Sequence, residues 1–129
     1  MKVLIPIKPQ YAEQILDGTK LFEYRRRVFK RSDVTSLVIY ESAPVGLITG
    51  EVQITGILSG PAEELWKTTG AQGGISKENF MRYFRGCTMA YAIQLMNPKR
   101  YDRSLALSEV AGAPPRAPQS FKYLDDMMN

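Results

Sequence analysis

The chain has 129 residues, 44% of them hydrophobic and 23% charged, which supplies one core and reads as a single domain spanning residues 1–129. It has no histidine and one cysteine, Cys87, so a Ser-His-Asp triad, a Cys-His pair, a histidine-ligated metal, an internal disulfide and a cysteine zinc cluster are all excluded. The net charge of +4 is local: residues 20–31 hold six of the seventeen Lys/Arg and one acid, while the rest of the chain carries a slight acidic excess.

Met1 to Lys8 is too short an apolar run for a signal peptide and is broken by Pro6. No apolar stretch approaches a membrane span, so a soluble, cytoplasmic protein without a membrane partner is expected. Val3–Ile7 is rich in branched residues and bounded by prolines, which predicts a first strand near a sheet edge. Pro9-Gln10 opens a helix whose Tyr11, Ile15 and Leu16 share one face, and Gly18 is placed to end it. Leu21–Arg25 is predicted as a second strand, but its aromatics do not separate cleanly onto one face.

Ser36–Tyr40 reads as a buried strand closed by the turn-forming loop Glu41–Gly46. Leu47–Leu58 is the clearest strand, with Gly50 and Gly56 marking bulges or bends. Pro61 starts a helix over Ala62–Thr68, and a glycine-rich loop follows to Gly74. Ser76 is the expected N-cap of a third helix ending at Gly86, with Phe80, Tyr83 and Phe84 facing the core. Thr88–Met96 alternates as a further strand, with Met89, Tyr91, Ile93 and Leu95 on one side. The Pro-rich segment 111–118 is predicted as an extended loop, 120–124 as a short docking strand that folds over the functional cleft, and 125–129 as a frayed tail. The fold class is α+β: a small mixed β-barrel with inserted helices, its core about residues 3–96 and a C-terminal extension at 97–129.

Gly18-Thr19-Lys20, at the end of the first helix, precedes Glu23 and Arg25 on the next strand. A localised cationic corner of this kind points to a polyanionic partner, nucleic acid first. This helix–GTK–strand arrangement, followed by a long Gly50-Glu51-Val52 strand, an inserted helical segment and a closing Tyr91-Ala92-Ile93 strand, resembles the ASCH domains of the PUA-like superfamily. The resemblance spans roughly residues 3–96. It implies a pseudo-barrel with a cleft between its mouth and the first helix that receives RNA, another single-stranded nucleic acid or a modified nucleoside. Lys20, Glu23 and Arg25 line that cleft in the implied arrangement, with Tyr40, Glu41 and Ser42 as neighbours at the end of the adjacent strand.

Physical chemistry fits roles to these residues. Lys20, Arg25 and Arg27 suit phosphates, and each such contact makes affinity salt-dependent. Tyr24 and Tyr40 suit stacking on an unpaired base, worth about 1–3 kcal/mol per base by alanine substitution. Glu23 suits an exocyclic amine, or an ion pair with Lys20 or Arg25. Some ASCH-like proteins are amidohydrolases acting on N4-acetylcytidine through a lysine, a threonine three residues on and a later loop glutamate. Lys20 matches the lysine, but Glu23 stands at the threonine's position and Gln72-Gly73-Gly74 lie where the glutamate is expected. Binding of RNA therefore ranks ahead of catalysis. Behind it stand a ribonuclease or nucleoside hydrolase using Lys20 and Glu23, and a protein-interaction module. Glu41 and Glu51 are further candidate acids, and Thr19, Ser42 and Thr49 candidate nucleophiles. No metal or other cofactor is expected.

Overall fold

The computed structural model describes residues 1–124. The tail expected to fray, residues 125–129, lies outside the described residues. The chain runs β1 (Lys2–Ile7), α1 (Pro9–Leu16), β2 (Phe22–Arg25), β3 (Ser36–Glu41), β4 (Leu47–Gly60), α2 (Ala62–Thr69), α3 (Lys77–Tyr83), β5 (Ala90–Leu105) and β6 (Lys122–Leu124). The fold is α+β, as expected. The strands form one six-stranded sheet in the order β2-β5-β4-β3-β1-β6, with β1 parallel to β3 and the other pairings antiparallel.

The sheet is open: no hydrogen-bonded ladder joins its outer strands β2 and β6. The barrel description is therefore approximate, and a side chain supplies the closure. The Arg25 guanidinium, at the end of β2, donates from Nη1 to the Pro6 carbonyl on β1 at 3.1 Å and from Nη2 to the Ser120 carbonyl just before β6 at 3.0 Å. Register shifts beside Gly50 and Gly56 bend β4, which lets one strand follow the curl.

Strand β1 is second from the edge, and β6 covers only Lys2–Leu4. Pro6 lies beyond that cover, where its missing N–H costs no ladder bond. Strand β5 overruns the expected end at Met96. Asn97 takes φ 51°, a left-handed conformation that asparagine tolerates, and pairing with β4 continues to Leu105. Within the C-terminal extension, the end of β5 and the strand β6 thus pair into the sheet. The alternation in β5 holds, but both of its faces are covered: Ile93 and Leu95 pack in the core beneath α1, Ala90 and Ala92 pack on the other face with Phe80 and Phe84, and Met89, just before the strand, is exposed.

The core has three parts. Val3, Ile5, Ile15, Leu37, Ile39, Val52 and Ile93 fill the inside of the curl beneath α1. A second cluster joins β2 and β5 to α2 and α3 through Tyr24, Leu65, Phe80 and Phe84. Leu4, Val38, Ile48 and Leu124 form a third on the outer side of β1, β3 and β4. No helix among the described residues is long and apolar enough to cross a membrane.

Candidate functional site

A cleft of about 1150 Å³ opens between the start of α1, the ends of β1 and β3, the strand β2 and helix α3. Its remaining side is the segment Ala117–Ser120, which the Arg25–Ser120 bond holds in place. Ser120 thus borders the cleft as expected, whereas Phe121 turns away and packs edge-on against Phe29 at 5.8 Å.

Lys20 reaches the cleft because α1 stops abruptly. Gly18 takes φ +87°, and the Thr19 and Lys20 amides then both donate to the Gln14 carbonyl at 3.0 Å. The Lys20 side chain is 3% exposed. Its Nζ donates to the Gly73 carbonyl and sits 5.1 Å from the Tyr11 ring centre and 4.9 Å from that of Tyr24. Burial pulls its pKa below the usual lysine value, against the pull of nearby Glu23. The Gly73 position admits no side chain, since a Cβ there would fall 2.1 Å from the Tyr24 hydroxyl oxygen.

In β2 the residues alternate. Phe22 and Tyr24 go to the aromatic cluster, while Glu23 and Arg25 face the cleft. Tyr24 is a wall rather than a free stacking platform. It is 6% exposed, its ring meets Phe80 edge-on at 4.8 Å, and its hydroxyl bonds Thr69 Oγ1 at 2.8 Å. Burial raises its pKa. Glu23 is 6% exposed, and its Oε2 accepts from Arg25 Nη1 at 3.3 Å.

The three consecutive arginines have separate jobs. Arg25 closes the sheet. Arg26 lies over the Tyr83 ring at 4.5 Å and donates from Nε to the Tyr83 carbonyl at 2.8 Å. Arg27 lines the cleft, exposed and without a protein partner among the described residues. Tyr40 and Ser42 line the cleft as well.

Glu41 does not. It lies between Tyr40 and Ser42 on β3, so the alternation of the strand sends it to the opposite face. There it is 3% exposed, beside Thr49 and facing Glu13, and burial raises its pKa. Glu13 in turn pairs with Arg100 at 3.1 Å, which lowers its pKa. Glu51, Thr49 and Thr19 also fall away from the cleft. Glu51 pairs with Lys2 at 2.8 Å, Thr49 lies beneath Glu41, and exposed Thr19 turns back to Asp17 at 2.7 Å. Of the candidate nucleophiles only Ser42 is in place.

Sequence reasoning missed part of the lining. Tyr11 and Tyr83 read as core at helical spacing, yet each is half-buried at the cleft edge. Arg82 and Lys8 add charge at the rim. The lining then holds six bases (Lys8, Lys20, Arg25, Arg26, Arg27 and Arg82) against one acid, Glu23. Lys30 and Arg31, from the same basic run, lie outside it, with Arg31 paired to Asp33 at 2.7 Å.

Residues 5–102 match the family model of the ASCH domain. An ASCH domain-containing ribonuclease of Zymomonas mobilis is 29% identical over 94 residues, which is 73% of this chain and 64% of that protein. The chain therefore spans just under two thirds of that relative's length. The crystal structure of ASCH from Zymomonas mobilis superposes with a TM-score of 0.88 at 27% identity, covering 97% of this chain and 88% of that one. The large ribosomal subunit protein uL22 of Ureaplasma parvum is 22% identical over 122 residues, 95% of this chain and 39% of that protein.

Proposed function

This chain belongs to the ASCH domain family, and from that premise we propose that its cleft binds single-stranded RNA, taking one base inside and holding the backbone at the rim. The carrying observation is the charge layout: six bases against one acid in a single cleft, with that acid buried at the floor. Phosphates follow the exposed Arg27, Lys8 and Arg82, where counterion release makes affinity salt-dependent. The half-buried rings of Tyr11, Tyr40 and Tyr83 suit stacking on an unpaired base. A duplex does not present a base in this way, so paired RNA should bind more weakly. The test is photo-crosslinking of a single-stranded RNA to the chain, followed by peptide mapping. Crosslinks at Tyr11, Tyr40 or Tyr83 support the reading, and crosslinks confined to residues 30–31 or to the far face overturn it.

Ribonuclease action is the second reading, favoured by the name of the Zymomonas mobilis relative and by the buried Lys20 amine. An amine that sheds its proton more readily than in water is suited to general-base work, with Glu23 beside it and Ser42 across the cleft. Incubating the crosslinking RNA with the chain and following fragment release tests it. Release that persists at an undiminished rate in Lys20→Met would remove Lys20 from that role.

A further inference from the structure

The floor of the cleft carries a pattern of hydrogen-bonding groups that selects among bases. This inference rests on the RNA-binding reading of the same cleft. Lys20, Glu23 and Arg25 succeed one another into and along β2, and all three line the cleft. Lys20 Nζ spends one contact on the Gly73 carbonyl and keeps further N–H donors. Glu23 gives Oε2 to Arg25, and its other oxygen has no protein partner among the described residues. Arg25 makes three contacts, to Pro6, Glu23 and Ser120, which leaves part of its guanidinium donors unused. The floor therefore reads donor, acceptor, donor. A phosphate is a poor occupant, because the Glu23 carboxylate repels it.

We infer that this floor reads the imide edge of uracil, in which an N–H lies between two carbonyl oxygens. The central N–H donates to Glu23, and the flanking oxygens accept from Lys20 and Arg25. The other bases each break the pattern. Cytosine presents an unprotonated ring nitrogen at its centre, which faces the Glu23 carboxylate acceptor to acceptor. Adenine has the same fault and lacks a carbonyl. Guanine satisfies Lys20 and Glu23 but sets its exocyclic amine against Arg25, donor to donor. A mismatch at this depth leaves a charged group unpaired in a water-poor site, where a lost partner costs most. Pseudouridine and thymine carry the same edge and fall in the same class.

Oligouridylate and oligocytidylate isolate the edge, since ring size and backbone are shared. Titrated against the full chain by fluorescence anisotropy, oligouridylate should bind about tenfold more tightly or better. Oligouridylate methylated at N3, which lacks the imide proton, should lose that advantage. In Glu23→Gln the preference should flatten, with thermal denaturation reporting whether the variant is folded. The N3-methyl comparison needs no variant and stands even if Glu23→Gln fails to fold. Equal, salt-sensitive binding of the two unmodified oligomers would overturn the imide reading and leave RNA binding intact, as would full affinity for the N3-methyl form. Failure of every oligomer to bind would overturn both.

Discussion

Two buried carboxylates on this sheet have opposite surroundings. Glu23 lies at the floor of the cleft beside Arg25, with five further cations around it, and one of its oxygens is left without a protein partner among the described residues. Glu41 is just as buried, but it is closed in by Thr49, Glu13 and, beyond Glu13, Arg100. Burial alone therefore does not mark a site. What separates the two is the surplus of charge and the opening to a cavity large enough for a nucleotide. Glu41 raises a structural problem that its neighbours partly solve, whereas Glu23 offers a polar edge to a ligand.

Substitutions on either side sharpen the contrast. Arg25→Ala should have the largest effect. It removes the bridge from β2 to Pro6 and Ser120 and strands Glu23, costing about 3 kcal/mol of stability by denaturant unfolding. Lysine at position 25 should recover little of this, since it cannot fork to both carbonyls. Gly73→Ala comes next, because its Cβ would collide with the Tyr24 hydroxyl and displace the carbonyl that holds Lys20. A loss of about 2 kcal/mol is expected, with RNA affinity falling in parallel. Tyr40→Leu should leave the melting temperature nearly unchanged and weaken single-stranded RNA binding by about 1 kcal/mol, measured by titration.

Glu41→Gln should have the smallest effect, and it should act in the opposite direction. Burial raises the Glu41 pKa in the folded state, so the folded protein holds that proton more tightly than the unfolded chain. The resulting stability is complete below the usual carboxylate range and is lost as pH rises through the raised value. The amide has no such loss. The variant should therefore melt a few degrees above wild type at neutral pH and show a smaller difference in acid, by thermal scans across that range. A variant less stable at neutral pH would show that the Arg100 attraction outweighs desolvation.

Much of the fold was legible because the signals were local. Pro9, Gly18, Pro61, Ser76 and Gly86 punctuate the helices close to where periodicity placed them, and the Ser76 hydroxyl accepts from the Asn79 amide as an N-cap does. The continuation of β5 through Asn97-Pro98 was not legible, because long-range pairing with β4 overrides two residues that usually end strands. The burial of Ala90 and Ala92 on the second face of β5 was hidden for the same reason, since it depends on Phe80 and Phe84. In the site, Lys20, Glu23 and Arg25 were readable as neighbours in the chain. The alternation of β3 already separates Glu41 from Tyr40 and Ser42, so that signal was present. The contributions of Tyr83 and of residues 117–119 come from distant parts of the chain and left no local trace.

The central claim is that RNA is held by the cleft and not by net charge. Arg27 and Lys30 are both exposed and belong to the same basic run, but only Arg27 lines the cleft. Reversing each in turn, Arg27→Glu and Lys30→Glu, changes the total charge equally. Affinity for single-stranded RNA should be measured for both variants and wild type over a series of salt concentrations. Arg27→Glu should weaken binding about tenfold or more and lower the salt slope by about one unit or more, with Lys30→Glu close to wild type. Equal losses in the two variants, or no binding by wild type, would contradict the account.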